Sequence, residues 1–322
     1  MKVLYFLALA FFCFSGCASP SAEELPRSLA CPSLPPNLPV NDLGIPLLKV
    51  HVLEENRVRE MDAETYLMGV VAGEMKNDWP IEALKAQAIL ARTFVMRFVS
   101  EKDSRYEGAH ISTDISEAQA YNAAAINDNI RTAVRETEGL VLVDAEGNLP
   151  YTWFHAHSGG TTALAREALG WQEAEPTHTR ITEGLDSDAA PAEAKAWSAT
   201  FSASDFLAAC RRAGVKVNHL SSVSIKEKGQ SGRAVTLAVN DMEVNAARLR
   251  IELGSTVMRS TLLDELSFED GTVRMKGRGY GHGVGMPQWG AYALALNGWG
   301  GEEISLHYYK GLRVVRMWPR QE

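Results

Sequence analysis

The stretch "GRGYGHGVGMPQWGA", residues 277–291, decides the fold that we expect for this chain. Glycine recurs at every second position from 277 to 285, so an extended backbone would carry side chains on one face only. The bare face allows another backbone or a ligand to approach closely. The spacing fits neither the G-x-G-x-x-G dinucleotide motif nor a phosphate loop. A glycine-rich strand packed against another element is the alternative, but so much glycine costs backbone entropy, and we favour a binding role.

A second unusual stretch, "YLMGVVAGEM" at residues 66–75, contains a single charged side chain, Glu74. Each residue of a helix advances about 100° around the axis, so Tyr66, Val70 and Val71 fall on one apolar arc. Glu74 lies near the middle of that arc. A carboxylate that faces a core must find a cation or keep its proton. The sequence therefore leaves two explanations, a structural ion pair and a general acid whose pKa is raised by burial.

Two cations of the following predicted helix are candidate partners for such an anion. Lys85 and Arg92 lie seven residues apart and share one helix face, so either could bind Glu74 or a substrate carboxylate. A solvated helix face explains the same pattern equally well.

The composition of the chain excludes some classes of function. Its 322 residues are 46% hydrophobic and 22% charged, the profile of a globular protein with one large or two moderate domains. The net charge of -8 argues against nucleic-acid binding, which depends on clustered Lys and Arg.

The N-terminus predicts export. Residues 1–16 combine Lys2 with a short apolar run, as in a signal peptide, and "FSGC" ends at Cys17 like the lipobox of bacterial lipoproteins. Acyl chains on Cys17 would anchor the protein to a membrane at the cell envelope, in the periplasm or on the extracytoplasmic face, whereas plain secretion is the alternative. Residues 17–46 are rich in proline and predict a stiff tether, and residues 47–318 form the predicted domain.

Local patterns predict an α+β fold, in which two lobes could flank a cleft. "GLVLV" (residues 139–143) and "YTWFHAH" (residues 151–157) are predicted to pair as a hairpin. Residues 172–196 are acidic and predict a surface excursion or hinge. Other expected elements are a strand at 47–60, a helix at 63–75 capped by Asp62, and a helix from Pro80 to 99.

His155 and His157 lie two residues apart and would share a face in an extended chain. Imidazoles spaced in this way can help to bind zinc, but a structural zinc normally needs four protein ligands. A hydrogen-bonded pair beside the Ser-Gly-Gly turn explains them equally well. We predict no metal and no cofactor.

The motifs together resemble the stage II sporulation protein D family, also called SpoIID/LytB. The resemblance runs from about residue 47 to residue 318, and the glycine-rich stretch is its most specific part. The motifs that carry it are "YLMGVVAGEM", "WPIEALKAQAILARTF", "HSGGTT", "SGRAVTLAV", "GRGYGHGVGMPQWGA" and "HYYKG".

The resemblance implies a lytic transglycosylase of peptidoglycan. Such enzymes cleave glycan strands between N-acetylmuramic acid and N-acetylglucosamine, particularly strands stripped of peptide, and leave 1,6-anhydro ends. The family's catalytic glutamate matches Glu74. By the same resemblance, Arg278, Tyr280, His282 and Gln288 would line the glycan groove, with Lys85 and Arg92 supporting the acid. Some members bind zinc with a cysteine that is Ser158 here, which argues against zinc at His155 and His157.

Two other functions fit the same resemblance. The LytB side of the family is named for enhancing a partner cell-wall amidase, so a glycan-binding enhancer without an acid is one alternative. A zinc-dependent amidase that removes peptide stems is the other.

Overall fold

A computed structural model describes residues 32–36 and 38–320, and the predicted signal peptide and Cys17 lie outside this range. The α+β prediction is confirmed. The helices are α1 (Ala63–Glu74), α2 (Ile81–Glu101), α3 (Asp128–Glu136), α4 (Ala165–Ala168), α5 (Ala192–Lys195), α6 (Ala203–Arg212), α7 (Ala246–Glu252), α8 (Gln288–Leu296) and α9 (Gly301–His307). The strands are β1 (Leu47–Val52), β2 (Arg57–Asp62), β3 (Ile111–Ser112), β4 (Leu140–Val143), β5 (Phe154–His155), β6 (Ala196–Ser202), β7 (Val223–Lys228), β8 (Ala234–Val239), β9 (Met242–Asn245), β10 (Leu263–Glu269), β11 (Thr272–Arg278), β12 (Met286–Pro287) and β13 (Arg313–Arg316).

The strands form small sheets rather than one large one. Their orders are β2-β1-β3, β10-β11-β6, β12-β5, β13-β4 and β7-β8-β9. β1 pairs with β3 and β12 with β5 in parallel, and the other pairs are antiparallel.

The N-terminal elements form for the local reasons that the sequence predicts. The Asp62 carboxylate accepts the Thr65 backbone N–H at 2.8 Å and caps α1. Pro80 precedes α2, where its missing N–H costs no helical hydrogen bond. The predicted strand at 47–60 is instead two antiparallel strands, because the chain turns at Leu53–Glu55 with Asn56 in the left-handed conformation.

The first hydrophobic core packs α1, α2, α3, α8 and α9 against β1 and β4. Tyr66, Leu67, Val70 and Val71 of α1 are fully buried, as the helical arc predicts. Burying each side chain of this size stabilises the fold by about 1.5–3 kcal/mol. The apolar half of α1 therefore fixes the position of its last residue, Glu74.

A second hydrophobic core lies within residues 197–275, between α6, α7 and the strands β6 to β11. Arg233, at the start of β8, links this core to the segment before α4. Its fully buried guanidinium donates hydrogen bonds to the carbonyls of Ser158 at 2.6 Å and Thr161 at 3.0 Å.

The predicted hairpin between residues 139–143 and 151–157 is wrong. β4 pairs with β13 and β5 pairs with β12, both distant in sequence. The apolar alternation of these segments identified strands but not their partners, because pairing is decided by the packing of the whole core.

Two other predicted segments can be described in part. Within 172–196 the chain is irregular apart from α5, and Glu175 and Asp186 tie it to residues 158–166 by hydrogen bonds. Within the predicted tether, Leu34 and Leu38 pack against the first core. The boundaries of tether and domain stay predictions. Within residues 32–36 and 38–320, no helix combines the length and the apolar character needed to cross a membrane.

Candidate active site

Glu74 ends α1 and is only partly exposed. Its Oε1 accepts the backbone N–H of Ala120 at 2.7 Å, and within the described residues it forms no ion pair. Desolvation raises the pKa of Glu74 from 4.5 to about 7, although the Ala120 N–H and the Gln288 side chain act in the opposite direction. This carboxyl group therefore holds its proton over a large part of the neutral pH range.

Two neighbouring cavities meet at Glu74. The His282 cavity has a volume of about 420 Å³, and its lining includes Glu74, Phe94, Trp153, Phe154, His155, Tyr280, His282 and Gln288. The Lys76 cavity has a volume of about 440 Å³ and is lined by residues 72–78 together with Ala125. A ligand that spans both cavities would therefore pass Glu74.

The glycine-rich stretch brings the predicted residues to this cavity. Only its first part continues β11, because Gly279, Gly281, Gly283 and Gly285 all adopt positive φ. Beyond residue 278 the segment is therefore not a regular extended strand. The expectation of close approach is confirmed: a Cβ at Gly281 would lie 2.6 Å from the Cβ of His155.

Three of the residues expected to line the glycan groove also line the His282 cavity, together with Glu74. They are Tyr280, His282 and Gln288. Gln288 is the first residue of α8, and its Nε2 donates to the backbone carbonyl of Glu74 at 3.1 Å. This bond ties the start of α8 to the end of α1. Arg278 is not part of the cavity lining, since its guanidinium lies at the end of β11 and contacts Asp264 at 3.1 Å.

The two histidines of the cavity are neutral. The rings of His155 and His282 lie 5.5 Å apart between centroids. Burial lowers the pKa of His282 to about 3 and the pKa of His155 well below its ordinary range. Because neither ring carries charge at neutral pH, this cavity suits hydroxyl and amide groups better than a carboxylate.

The chain is similar in sequence to several known proteins. A family model described as SpoIID, stage II sporulation protein, matches residues 53–143. An uncharacterised protein of Brachyspira hyodysenteriae is 30% identical over 259 residues, which cover 80% of this chain and 68% of that protein. Stage II sporulation protein D of Bacillus subtilis is 28% identical over 285 residues, 83% of this chain and 78% of that protein. The chain belongs to the stage II sporulation protein D family.

Another similar protein is named for a different role. The amidase enhancer of Bacillus subtilis is 27% identical over 297 residues, which cover 77% of this chain but 40% of that protein. This stage II sporulation protein D family member therefore aligns with proteins of two differently named roles.

The structure places the two predicted supporting cations away from Glu74. Arg92 is fully buried and binds Glu64, with Nε–Oε1 at 2.9 Å and Nη2–Oε2 at 2.6 Å. Lys85 pairs with Glu82 at 2.6 Å and with Glu136 at 2.5 Å. Arg92 and Lys85 therefore do not support Glu74 as expected, because both cations form ion pairs with other carboxylates. Seven-residue spacing predicted a shared face but not the partner.

The two histidines considered for zinc, His155 and His157, each have one ring nitrogen close to a backbone group. His155 Nδ1 lies 3.2 Å from the Val284 carbonyl, and His157 Nδ1 accepts the Gly159 N–H at 3.0 Å. The Ser158 hydroxyl donates to the Asp186 carboxylate. Within the described ranges no three His, Cys, Asp or Glu side chains form a possible metal group.

Some site residues have no signal in the sequence. The Ala120 N–H is a backbone group of an irregular segment, so no side-chain pattern could identify it. Lys76 directly follows the Glu74 motif, and its proximity alone could have suggested a role.

Proposed function

We propose that this chain is a lytic transglycosylase that cleaves peptidoglycan glycan strands with Glu74 as its single acid and base. The observation that carries the proposal is the state of Glu74. Glu74 lines two cavities, and desolvation of its carboxyl group raises its pKa to about 7. A general acid works best when its pKa lies near the operating pH.

The hydrogen bond from Ala120 assigns roles to the two carboxyl oxygens. Oε1 accepts the backbone N–H and so acts as the carbonyl oxygen of the neutral acid. The proton is then carried by Oε2 and is available to a ligand in the cavities.

The reaction needs no group other than this acid. Oε2 donates its proton to the glycosidic oxygen as the bond from that oxygen to the anomeric carbon breaks. The resulting carboxylate then accepts the proton of the muramic acid 6-hydroxyl, whose oxygen attacks the anomeric carbon and closes the 1,6-anhydro ring. Glu74 is protonated again at the end, and no water is consumed.

Ordinary glycoside hydrolysis would need a second carboxylate on the other side of the bond. The His282 cavity has Glu74 as its only acidic lining residue. Asp78 lines the Lys76 cavity, where it is exposed. Asp78 is therefore the residue whose replacement separates hydrolysis from transglycosylation.

The two cavities differ in charge, which orients the strand. The His282 cavity contains neutral imidazoles and aromatic rings, so it suits the uncharged N-acetylglucosamine. Lys76 is the only cation that lines either cavity within the described residues. A peptide-stripped muramic acid exposes its lactyl carboxylate, which Lys76 would bind.

Product analysis tests the proposal. The full-length protein is incubated with intact and with peptide-free glycan strands, and the new sugar ends are identified by mass spectrometry. We expect 1,6-anhydro muramic ends, chiefly from peptide-free strands. Asp78→Asn should release the same ends at a rate within about twofold of the wild type. Reducing ends that disappear in Asp78→Asn would instead identify a two-carboxylate hydrolase.

A second candidate function is a glycan-binding enhancer of a cell-wall amidase, which the similarity to an amidase enhancer favours. It requires the cavities but not the proton of Glu74. In that case the protein alone would release no sugar ends, while a partner amidase would release more peptide in its presence. Export and a lipid anchor at Cys17 stay predictions, and palmitate labelling of the wild type and Cys17→Ala would test the anchor.

A further inference from the structure

A cavity away from Glu74 has no role in the mechanism above. The Trp171 cavity has a volume of about 650 Å³ and lies between α4, the segment that follows it and the β7–β8 hairpin. Its lining includes Arg166, Trp171, Gln172, Lys228, Gln230 and Asn245. Aromatic, amide and charged side chains of this kind suit a polar ligand with an apolar face, such as a sugar.

Trp171 is held in a fixed orientation. Its indole N–H donates to the Ala174 carbonyl at 3.2 Å. Its ring packs edge-on against Tyr151 at 5.1 Å and Trp153 at 5.5 Å between centroids. A ring that is already ordered loses little side-chain entropy when a ligand stacks on it.

The charged side chains of the Trp171 cavity differ in whether they already have hydrogen-bond partners. Glu167 and Glu175 accept hydrogen bonds from backbone N–H groups, and Glu227 accepts one from a threonine hydroxyl. The Arg166 guanidinium and the Lys228 ammonium form no hydrogen bond or ion pair with any side chain that the structure describes. The two cations are therefore the charged groups left for a ligand, and each can bind an anionic group directly, although the three carboxylates keep their own charge.

Trp153 connects this cavity with the candidate active site. It packs against Trp171 and also lines the His282 cavity. The two cavities thus share a wall of aromatic rings. A chain-like ligand bound over Glu74 could continue past this wall.

We propose that the Trp171 cavity binds a carboxylated sugar of the same glycan strand, a muramic acid remote from the cleavage point. Its pyranose ring would stack on Trp171, and its lactyl carboxylate would bind Arg166 and Lys228. The identity of the ligand as peptidoglycan rests on the proposed function. A carboxylate from a peptide stem would offer the same chemistry, so the test uses both sources.

The test measures binding without cleavage. Glu74→Gln is made in the full-length protein. Peptide-free glycans of two and of eight sugars, and an eight-sugar glycan that carries peptide stems, are titrated by calorimetry. Adding Trp171→Ala should weaken binding of the eight-sugar glycan by about tenfold and leave the two-sugar glycan unchanged. Trp171→Phe should restore most of the affinity. Adding Lys228→Gln should weaken the long glycan by about threefold.

Matched controls separate the site from general charge and folding effects. Lys226 lies on the same strand as Lys228 but outside the cavity and pairs with Glu243, so Lys226→Gln should not change binding. Reducing the lactyl carboxylates to alcohols should remove the effect of Lys228→Gln. Melting temperatures within about 2 °C of the parent would show that the variants are folded.

Three results would overturn the assignment. Equal affinity of Trp171→Ala and its parent for the long glycan would exclude the site. A loss seen only with stem-bearing strands would assign the cavity to peptide instead. Equal losses for short and long glycans would place Trp171 in the site at Glu74. If the wild type releases no anhydro ends but these binding effects appear, the proposed catalysis fails while the second site stands.

Discussion

The two ends of α1 carry carboxylates in opposite situations. Glu64, in the first turn, accepts hydrogen bonds from Arg92, from the Gly139 N–H at 3.0 Å and from the Trp318 indole at 3.1 Å. Glu74, the last residue, accepts the Ala120 N–H and has no cation within hydrogen-bonding distance in the described part of the chain. One carboxylate is fully satisfied as an anion, and the other is not.

The difference shows that a carboxylate on an apolar helix face does not by itself identify a catalytic acid. The two carboxyl groups differ in whether a cation lies beside them. The guanidinium of Arg92 compensates for the buried charge at Glu64, whereas desolvation at Glu74 is relieved by keeping the proton. The first end of α1 holds the fold together, and the second faces the cavities.

The largest effect is expected from Glu74→Gln, which keeps the shape and removes the proton. We expect release of 1,6-anhydro ends to fall by about 10³-fold, the range typical for the loss of a general acid. Glycan affinity should change little, and at pH 4, where the wild-type carboxyl group is protonated, so should the melting temperature. A Gln variant that cuts at the wild-type rate would exclude Glu74 as the acid.

Arg92→Gln tests the opposite end. It leaves the Glu64 carboxylate buried without its cation, so the free energy of unfolding should fall by about 3–5 kcal/mol in urea titrations. Activity per folded molecule should be nearly unchanged. If Arg92→Gln has normal stability but no longer cleaves glycan, Arg92 acts in the active site and not in stabilising the fold.

The stability of the protein should depend on pH through Glu74. The folded pKa of Glu74 is about 7 against an ordinary 4.5, so between these values the folded protein holds a proton that the unfolded chain has lost. Its contribution to stability therefore falls as the pH rises through this window, by about 3 kcal/mol in total. Glu74→Gln should be more stable than the wild type at pH 8 and equal to it at pH 4.

The activity of the wild type should follow the same proton. The turnover of glycan should decrease about tenfold per pH unit above pH 7, because only the protonated acid can donate. A rate that stays constant from pH 6 to pH 9 would contradict this assignment.

The smallest effect concerns the Lys76 cavity. Lys76→Gln should lower kcat/KM for peptide-free strands by about threefold, since an exposed ion pair contributes 1 kcal/mol or less. Strands whose lactyl carboxylates are amidated should show no difference between variant and wild type. Lys216→Gln, an exposed lysine elsewhere on the surface, serves as the control.

The sequence predicted the helices better than their partners. The apolar arc of α1 and the Asp62 cap depend on local spacing, and both are confirmed. The pairing of Arg92 depends on which of two carboxylates, ten residues apart on one helix, lies beside α2, and spacing does not contain that information. The partners of β4 and β5 were missed for the same reason.

The contacts of Arg233 limit how this protein can be shortened. Its guanidinium supports two carbonyls of the 158–161 turn, and a side chain at Gly283 would collide with it at 2.4 Å. Deleting residues 197–275 would remove Arg233. The two carbonyls would then lose this donor, and the glycine-rich segment would lose the side chain that packs against Gly283. A shortened form of this protein must therefore retain residues 197–275 to keep the 158–161 turn and the glycine-rich segment in place.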